Sequence, residues 1–480
     1  MKGNHIRSSR AKSRDVSRVR STQTALGVFA LLSCFATPTL AQTIAITGGT
    51  VALGDGSEPI VGGTVVIRDG KILGAGVGVP IPRGAQLIDA RGKWVTPGII
   101  GGFSRLGLSE VDLSVDGTTD DRAPTGPFSA AIDVAPAVNP MSSTISVNRA
   151  DGVTRAIVAP NTARSIFAGQ GAMIDLGADR DPITAARRFQ FVELGESGAA
   201  TAGGSRASAH LLFRNALREA AELGRYSPRP ASRATPIDDP VVRDPNESRI
   251  TGPTAQRSDD VLLTRFDAAA LVPVLQGRQY LLVHVEQAND ILQAIALKRD
   301  FPALKMVLVG VTEGWTVAER IAASGIPVIA SAVNDLPASF EQLAATQSNI
   351  GRMRAAGVKV AIGMIDDNDS RYLFNQRQYA ANLVALAKVP GATGVSWGEA
   401  LAMITSRPAE VIGLGGQLGS LGRGRQGDVV IWSGDPLELA SEAQMVWIDG
   451  VRQPLESRRT KLRDRYQSLE RQALPEAYRR

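Results

Sequence analysis

Histidine, cysteine and aromatic residues are scarce in this 480-residue chain. It holds three histidines (His5, His210 and His284), one cysteine and 5% aromatic residues. A single thiol, Cys34, forms neither an internal disulfide nor a thiolate-built metal site. Long hydrophobic runs are missing too. The apolar stretch Ala25–Ala36 (ALGVFALLSCFA) is about a dozen residues long, too short to span a bilayer permanently.

The stretch reads instead as the core of an export signal. A basic segment precedes it, with Lys2, Arg7, Arg10, Lys12, Arg14, Arg18 and Arg20, and the small residues Thr39 and Ala41 follow. Cleavage after Ala41 is expected, giving a periplasmic or secreted protein; the alternative is a lipoprotein anchored at Cys34 in Leu31-Leu32-Ser33-Cys34. Residues 1–41 carry seven basic residues and one acid, Asp15, a net +6 that equals the charge of the whole chain. The remainder is near neutral (6 − 6), so the alkaline pI is no argument for nucleic-acid binding. Cleavage also removes His5 and Cys34, leaving His210 and His284. No integral membrane segment is then expected, and oligomerisation stays open.

Two patterns divide the rest. From Thr43 to Val95 the chain reads as β, with Asp69-Gly70 as a tight-hairpin signal; a second β patch covers Asp428–Trp432 and Met445–Ile448 and runs into Asp449-Gly450. One small β-sandwich domain built from both ends of the chain is expected. Between the patches, apolar strands (Ile99–Phe103, Thr154–Val158, Phe189–Leu194, Leu281–Val285, Met306–Gly310, Ile326–Ala330, Val358–Ile362) alternate with helices such as Asn289–Lys298 and Trp397–Ile404. That alternation predicts parallel βα units and an α/β fold, a (β/α)8 barrel, with a doubly wound sheet as the weaker alternative. The expected layout is a signal over 1–41, β-sandwich parts at 42–97 and 411–455, a barrel over 98–410 with a mobile loop near 224–260, and a charged tail over 456–480.

Trp94-Val-Thr-Pro-Gly-Ile-Ile100 resembles the barrel entry of the amidohydrolase superfamily, in its imidazolonepropionase-like branch. Gly152-Val153-Thr154, Ala168-Gly169-Gln170-Gly171 (a loop in this reading), Ala400-Leu401 through Glu410, and Gly416 to Val430 are similar in order and spacing. The resemblance covers nearly the whole chain beyond the leader. It implies hydrolysis of C–N bonds by one or two metal ions that activate a bound water. The implied ligands are a His-x-His pair on strand 1, a modified Lys or Glu on strand 4, one His each on strands 5 and 6, and an Asp on strand 8.

Transferred residue by residue, these positions lose most of their ligands. The His-x-His pair falls on Phe103-Ser104-Arg105, and an arginine repels a cation. Strand 4 offers Glu193 or Glu196 and no lysine. Strand 5 keeps His284, in Leu-Leu-Val-His-Val-Glu. Strand 6 has Gly310 or Val311. Strand 8 has Ile365, with Asp366 one residue late and so on the other face unless a bulge intervenes. No metal is expected; a single zinc is the alternative.

The candidate catalytic residues are His284, Asp366 and Glu313. The candidate ligand-binding residues are Arg105, Glu193, Glu196, Arg206 and Trp315. Each has a bland alternative: a hydrogen-bonded pocket lining for His284, a solvated or paired acid for Glu313, a polar loop for Asp366, Asp367 and Asp369, and a flexible helix entry for Gly203–Arg206. His210 reads as structural. Ser104 lacks a nucleophile elbow and a histidine base. Arg105 in the place of a metal suggests an anionic ligand. The favoured expectation is a barrel that has lost metal-dependent hydrolysis and binds a small molecule or a protein at its mouth. The alternative is an active hydrolase of C–N bonds, in a non-peptide amide or a dipeptide, with a non-standard mononuclear or metal-free site.

Overall fold

The computed structural model describes residues 43–110, 119–225, 262–332, 334–365 and 371–467. The expected leader, residues 226–260 of the loop expected near 224–260, and the acids Asp366, Asp367 and Asp369 lie outside these residues. Among the described residues no helix is long and apolar enough to cross a membrane.

Strands β1 (Ile44–Val51), β2 (Ile60–Arg68), β3 (Lys71–Gly76), β4 (Gln86–Asp89) and β5 (Trp94–Pro97) join β14 (Val429–Trp432), β15 (Ala443–Ile448) and β16 (Val451–Arg452). They form one eight-stranded sheet in the order β16-β15-β14-β5-β1-β2-β3, with β4 on β1. Both ends of the chain therefore build this domain, whose strands are linked in one continuous hydrogen-bonded path. Asp69-Gly70 and Asp449-Gly450 turn the β2–β3 and β15–β16 hairpins with positive φ at all four residues, as a two-residue primed turn demands.

The second sheet is the barrel, in the order β13-β12-β11-β10-β9-β8-β7-β6. Its strands are β6 (Ile99–Ser104), β7 (Val153–Val158), β8 (Phe167–Asp175), β9 (Ile183–Glu193), β10 (Tyr280–Val285), β11 (Lys305–Gly310), β12 (Val328–Ala330) and β13 (Val360–Ile362). It nearly closes where Met364 N–H donates to Phe103 O at 3.2 Å. A Cβ on Gly102 would run into the Ile362 carbonyl, so the seam requires a glycine.

One strand departs from the expected parallel barrel. β8 runs antiparallel to both β7 and β9. The connections 159–166 and 176–182 are shorter than the dozen or so residues of a parallel crossover, so β7, β8 and β9 form a meander. Ala168–Gly171, read as a loop, lies inside β8.

Helices α1 (Ser143–Ala150), α2 (Glu196–Thr201), α3 (Arg206–Arg225), α4 (Arg265–Leu275), α5 (Ala288–Asp300), α6 (Ala318–Ser324), α7 (Asn349–Ala355), α8 (Gln376–Leu386), α9 (Trp397–Met403) and α10 (Ser406–Val411) accompany the barrel. Ser396 caps α9, its Oγ accepting from Glu399 N–H at 3.2 Å. Two apolar layers result. Ile100, Ile157, Phe191, Leu282, Val309 and Ala361 fill the barrel, while Val153, Phe213, Leu271, Leu281, Leu297 and Leu308 pack strands against helices. The terminal helix α11 (Arg458–Gln467) buries no residue, in keeping with a solvated charged tail.

Candidate functional site

The inward face of β10 carries Leu282, His284 and, one step beyond the strand, Glu286; the alternation of a strand places all three on one side. β9 contributes Phe189, Phe191 and Glu193 in the same way. His284 stands between two buried carboxylates. Its Nδ1 lies 2.7 Å from Glu193 Oε2 and 2.8 Å from Oε1, and its Nε2 lies 3.0 Å from Glu286 Oε1. A ring with a carboxylate at each nitrogen must donate from both, so His284 is an imidazolium. Burial disfavours that charge, but Glu193 and Glu286 outweigh it and hold the His284 pKa well above its ordinary value. The Glu286 carboxyl is likewise held low, burial being outweighed by the bonds to His284 and Thr312.

Both carboxylates are fixed from behind. Glu193 Oε1 accepts from Gly195 N–H at 3.0 Å, and Glu286 Oε2 from Thr312 N–H at 2.8 Å. The Thr312 donor is aimed by a left-handed turn, Gly310 (φ +88°) and Val311 (φ +58°). Val311 is β-branched and strained there. Its N–H donates to Val285 O at 2.8 Å, and its carbonyl accepts from Asn349 Nδ2 at 2.9 Å. A Cβ on Gly310 would overlap the Glu286 carboxylate and lie 2.9 Å from His284 Cδ2. Glu286, one step beyond β10, thus fills the space beside Gly310 at the end of β11.

Glu341, from the segment after β12, reaches the same cluster. Its Oε2 accepts from Glu196 N–H at 2.7 Å and from Arg206 Nη2 at 3.1 Å. Burial pushes the Glu341 carboxyl up, against the pull of the Glu196 N–H and the charge on His284. Arg206 Nε also donates to Asp290 Oδ2 at 2.8 Å, and Glu196 Oε1 lies 3.7 Å from its Nη2.

The other expected residues separate from this cluster. Arg105 is buried, 4.9 Å from the Phe103 ring centroid and 5.7 Å from that of Phe191. Its Nη1 donates to Ala159 O at 3.2 Å, and Asp121 Oδ2 lies 4.0 Å from Nε. Arg105 and Arg206 are therefore both committed to groups of the protein, which withdraws the basis for an anionic ligand at the mouth. Glu313 accepts from Ala288 N–H at 3.0 Å and from Ala344 N–H at 3.1 Å, tying two loops together. Trp315 Nε1 donates to Ala344 O at 2.8 Å, and Arg352 stacks 4.3 Å from its ring. Ser104 Oγ donates to Ile157 O at 2.9 Å, and His210 lies on α3 with Nε2 3.7 Å from Asp290 Oδ1. Phe103 and Ile365 join the apolar contents of the barrel.

Glu286 and Glu341 were missed as site residues. Glu286 was findable, because the i, i+2, i+4 spacing of Leu282, His284 and Glu286 sets it on the inward face. Glu341 lies in a stretch without periodicity.

A metal ion fits this donor set poorly. Glu193 and Glu286 lie on opposite nitrogens of one ring, whose lone pairs diverge, so the three side chains cannot converge on one ion. Among the described residues no group of three or more His, Cys, Asp or Glu side chains is arranged to hold a metal.

Residues 315–452 match the amidohydrolase family. Amidohydrolase tasK of Hapsidospora irregularis is 24% identical over 399 residues, which is 78% of this chain and 38% of that much longer protein. The chain thus spans well under half of that relative. Imidazolonepropionase of Acidiphilium cryptum is 24% identical over 408 residues, 82% of this chain and 90% of the relative. The crystal structure of an amidohydrolase from Thermotoga maritima superposes with a TM-score of 0.70 at 23% identity, covering 85% of this chain and 99% of that one. The family match, the two relatives and the shared fold together support an amidohydrolase superfamily member.

Proposed function

We propose that this exported amidohydrolase-like protein has exchanged metal-dependent hydrolysis for ligand binding at the barrel mouth, where an imidazolium clamped by two carboxylates occupies the former metal centre. One observation carries the reading: both nitrogens of His284 face carboxylates while Glu286 fills the space beside Gly310. An imidazole that donates from both nitrogens has no lone pair for a metal and cannot act as a general base until it loses a proton. The mouth carries Glu193, Glu196, Glu286 and Glu341 against His284 and Arg206, so the excess charge is negative. That favours a cationic or neutral polar small molecule, or a protein presenting such a group, over an anion. The leader over residues 1–41 supports a periplasmic or secreted setting.

The second reading is a C–N hydrolase with a single zinc or a metal-free site. It draws on the likeness to an imidazolonepropionase and on Glu193 and His284 standing on adjacent strands. Metal analysis of protein purified from zinc-supplemented culture, joined to an assay against amide and dipeptide panels, decides between them. Substoichiometric metal and no turnover are expected. Stoichiometric zinc, lost together with a measured amidase activity in His284→Ala, overturns the proposal.

A further inference from the structure

A cavity of about 350 Å3 opens on the flank of the barrel where the loop before β8 meets α3 and α4. None of Glu193, His284, Glu286 or Glu341 lines it. Its lining is mixed: buried Ile166, Phe167 and Leu263 and half-buried Leu212 stand beside polar Ser165, Thr201 and Thr264. Phe167 points into the helical layer, 5.7 Å from the Phe213 ring, and not into the barrel. The volume lies at the lower end of the range of about 300–1,000 Å3 typical of small-molecule pockets.

Two charged residues line the cavity among the described residues, and they differ in availability. Asp267 is buried and its oxygens are taken: Oδ1 accepts from Ser129 N–H at 2.9 Å and Ala131 N–H at 2.8 Å, and Oδ2 from the Thr264 hydroxyl at 2.7 Å. Arg164 is exposed at the rim and makes no ion pair or hydrogen bond with any described residue. An amine entering the cavity would find its carboxylate already saturated, whereas a carboxylate would find a free guanidinium beside apolar side chains.

We propose that this cavity binds a monocarboxylate with an apolar tail, the carboxylate on Arg164 and the tail against Ile166, Phe167, Leu212 and Leu263. The planar guanidinium matches a carboxylate with two parallel N–H donors, and the tail gains by leaving water. The site is independent of the mouth.

Calorimetric titration of the protein with octanoate, and with octanol as the uncharged control, tests it. Octanoate is expected to bind at one site per chain. Arg164→Gln, in an exposed loop, should weaken octanoate at least tenfold and leave octanol unchanged. Leu212→Trp, which narrows the cavity, should weaken both. The proposal is overturned if octanoate does not bind, if Arg164→Gln leaves its affinity intact, or if His284→Gln abolishes binding that Leu212→Trp retains. Should Leu212→Trp fail to fold, the octanoate-to-octanol ratio in Arg164→Gln decides alone.

Discussion

Glu286 and Gly310 share one side-chain position: the carboxylate of the first occupies the volume that any Cβ on the second would need. The left-handed backbone at Gly310 and the placement of Glu286 are therefore two aspects of one arrangement. The turn that forbids a side chain at 310 also delivers the Thr312 N–H to Glu286.

Gly310→Ala should accordingly destabilise the fold. Positive φ alone costs about 1–3 kcal/mol for a non-glycine residue, and the overlap with Glu286 adds to it. In a double-mutant cycle with Glu286→Ala the overlap with the carboxylate disappears. The combined loss in urea unfolding should then fall short of the sum of the two single losses. Strict additivity would mean that the two residues do not compete for the same space.

The charge on His284 makes a spectroscopic prediction. The chain holds three histidines, His5, His210 and His284, so ring 15N and 1H signals can be assigned with two substitutions. His284 should report an imidazolium at pH 7 and above. Its pKa is raised above the unfolded value of 6.5. The stability it contributes is thus fully present below about pH 6.5 and is lost as pH rises through the folded pKa. Thermal unfolding of the wild type should weaken with alkalinity relative to His284→Gln. A neutral ring at pH 7 would contradict the clamp.

Glu313 separates a structural from a catalytic role. It closes two backbone N–H groups, those of Ala288 and Ala344, from a buried position. Glu313→Ala leaves both donors unsatisfied and should cost about 1–3 kcal/mol per group at most, visible in chemical denaturation. Glu313→Gln keeps one acceptor oxygen and should recover part of the loss. A residue that acted only on substrate would leave stability unchanged in both variants.

What could be read from the residues followed local periodicity. The strands around Ile100, Leu282 and Val309 were legible because short apolar runs recur between helices. The Phe103 and Arg105 register was legible because Pro97-Gly98 anchors the count. The inversion of β8 was not, since Phe167–Asp175 is buried nearly throughout and shows no alternation that reveals direction; the short connections on either side were the usable signal. Glu286 escaped notice because the strand ends at Val285 although its alternation continues for one more step. Glu341 joins the cluster through tertiary contact alone, from a segment whose neighbours Phe340 and Leu343 face solvent.

The seam between the barrel and the composite β domain carries its own pH dependence. Buried Arg155 on β7 pairs with Asp428 at 2.6 Å and Asp449 at 2.6 Å, and donates to Thr184 Oγ1 at 2.7 Å. Asp175 is the surplus acid, touching this network only through the Thr184 hydroxyl at 3.5 Å. Burial raises its pKa from 3.8 to about 6, although the Gly177 N–H and Arg155 pull it down. The folded state therefore holds a proton that the unfolded state releases, so stability falls as pH rises from about 4 to about 6 and stays reduced above that. Asp175→Asn removes the penalty and keeps an acceptor for Gly177. Its melting temperature should exceed the wild-type value at pH 8, and the difference should vanish below pH 4. An equal shift at both pH values would assign the gain to packing rather than to the buried charge.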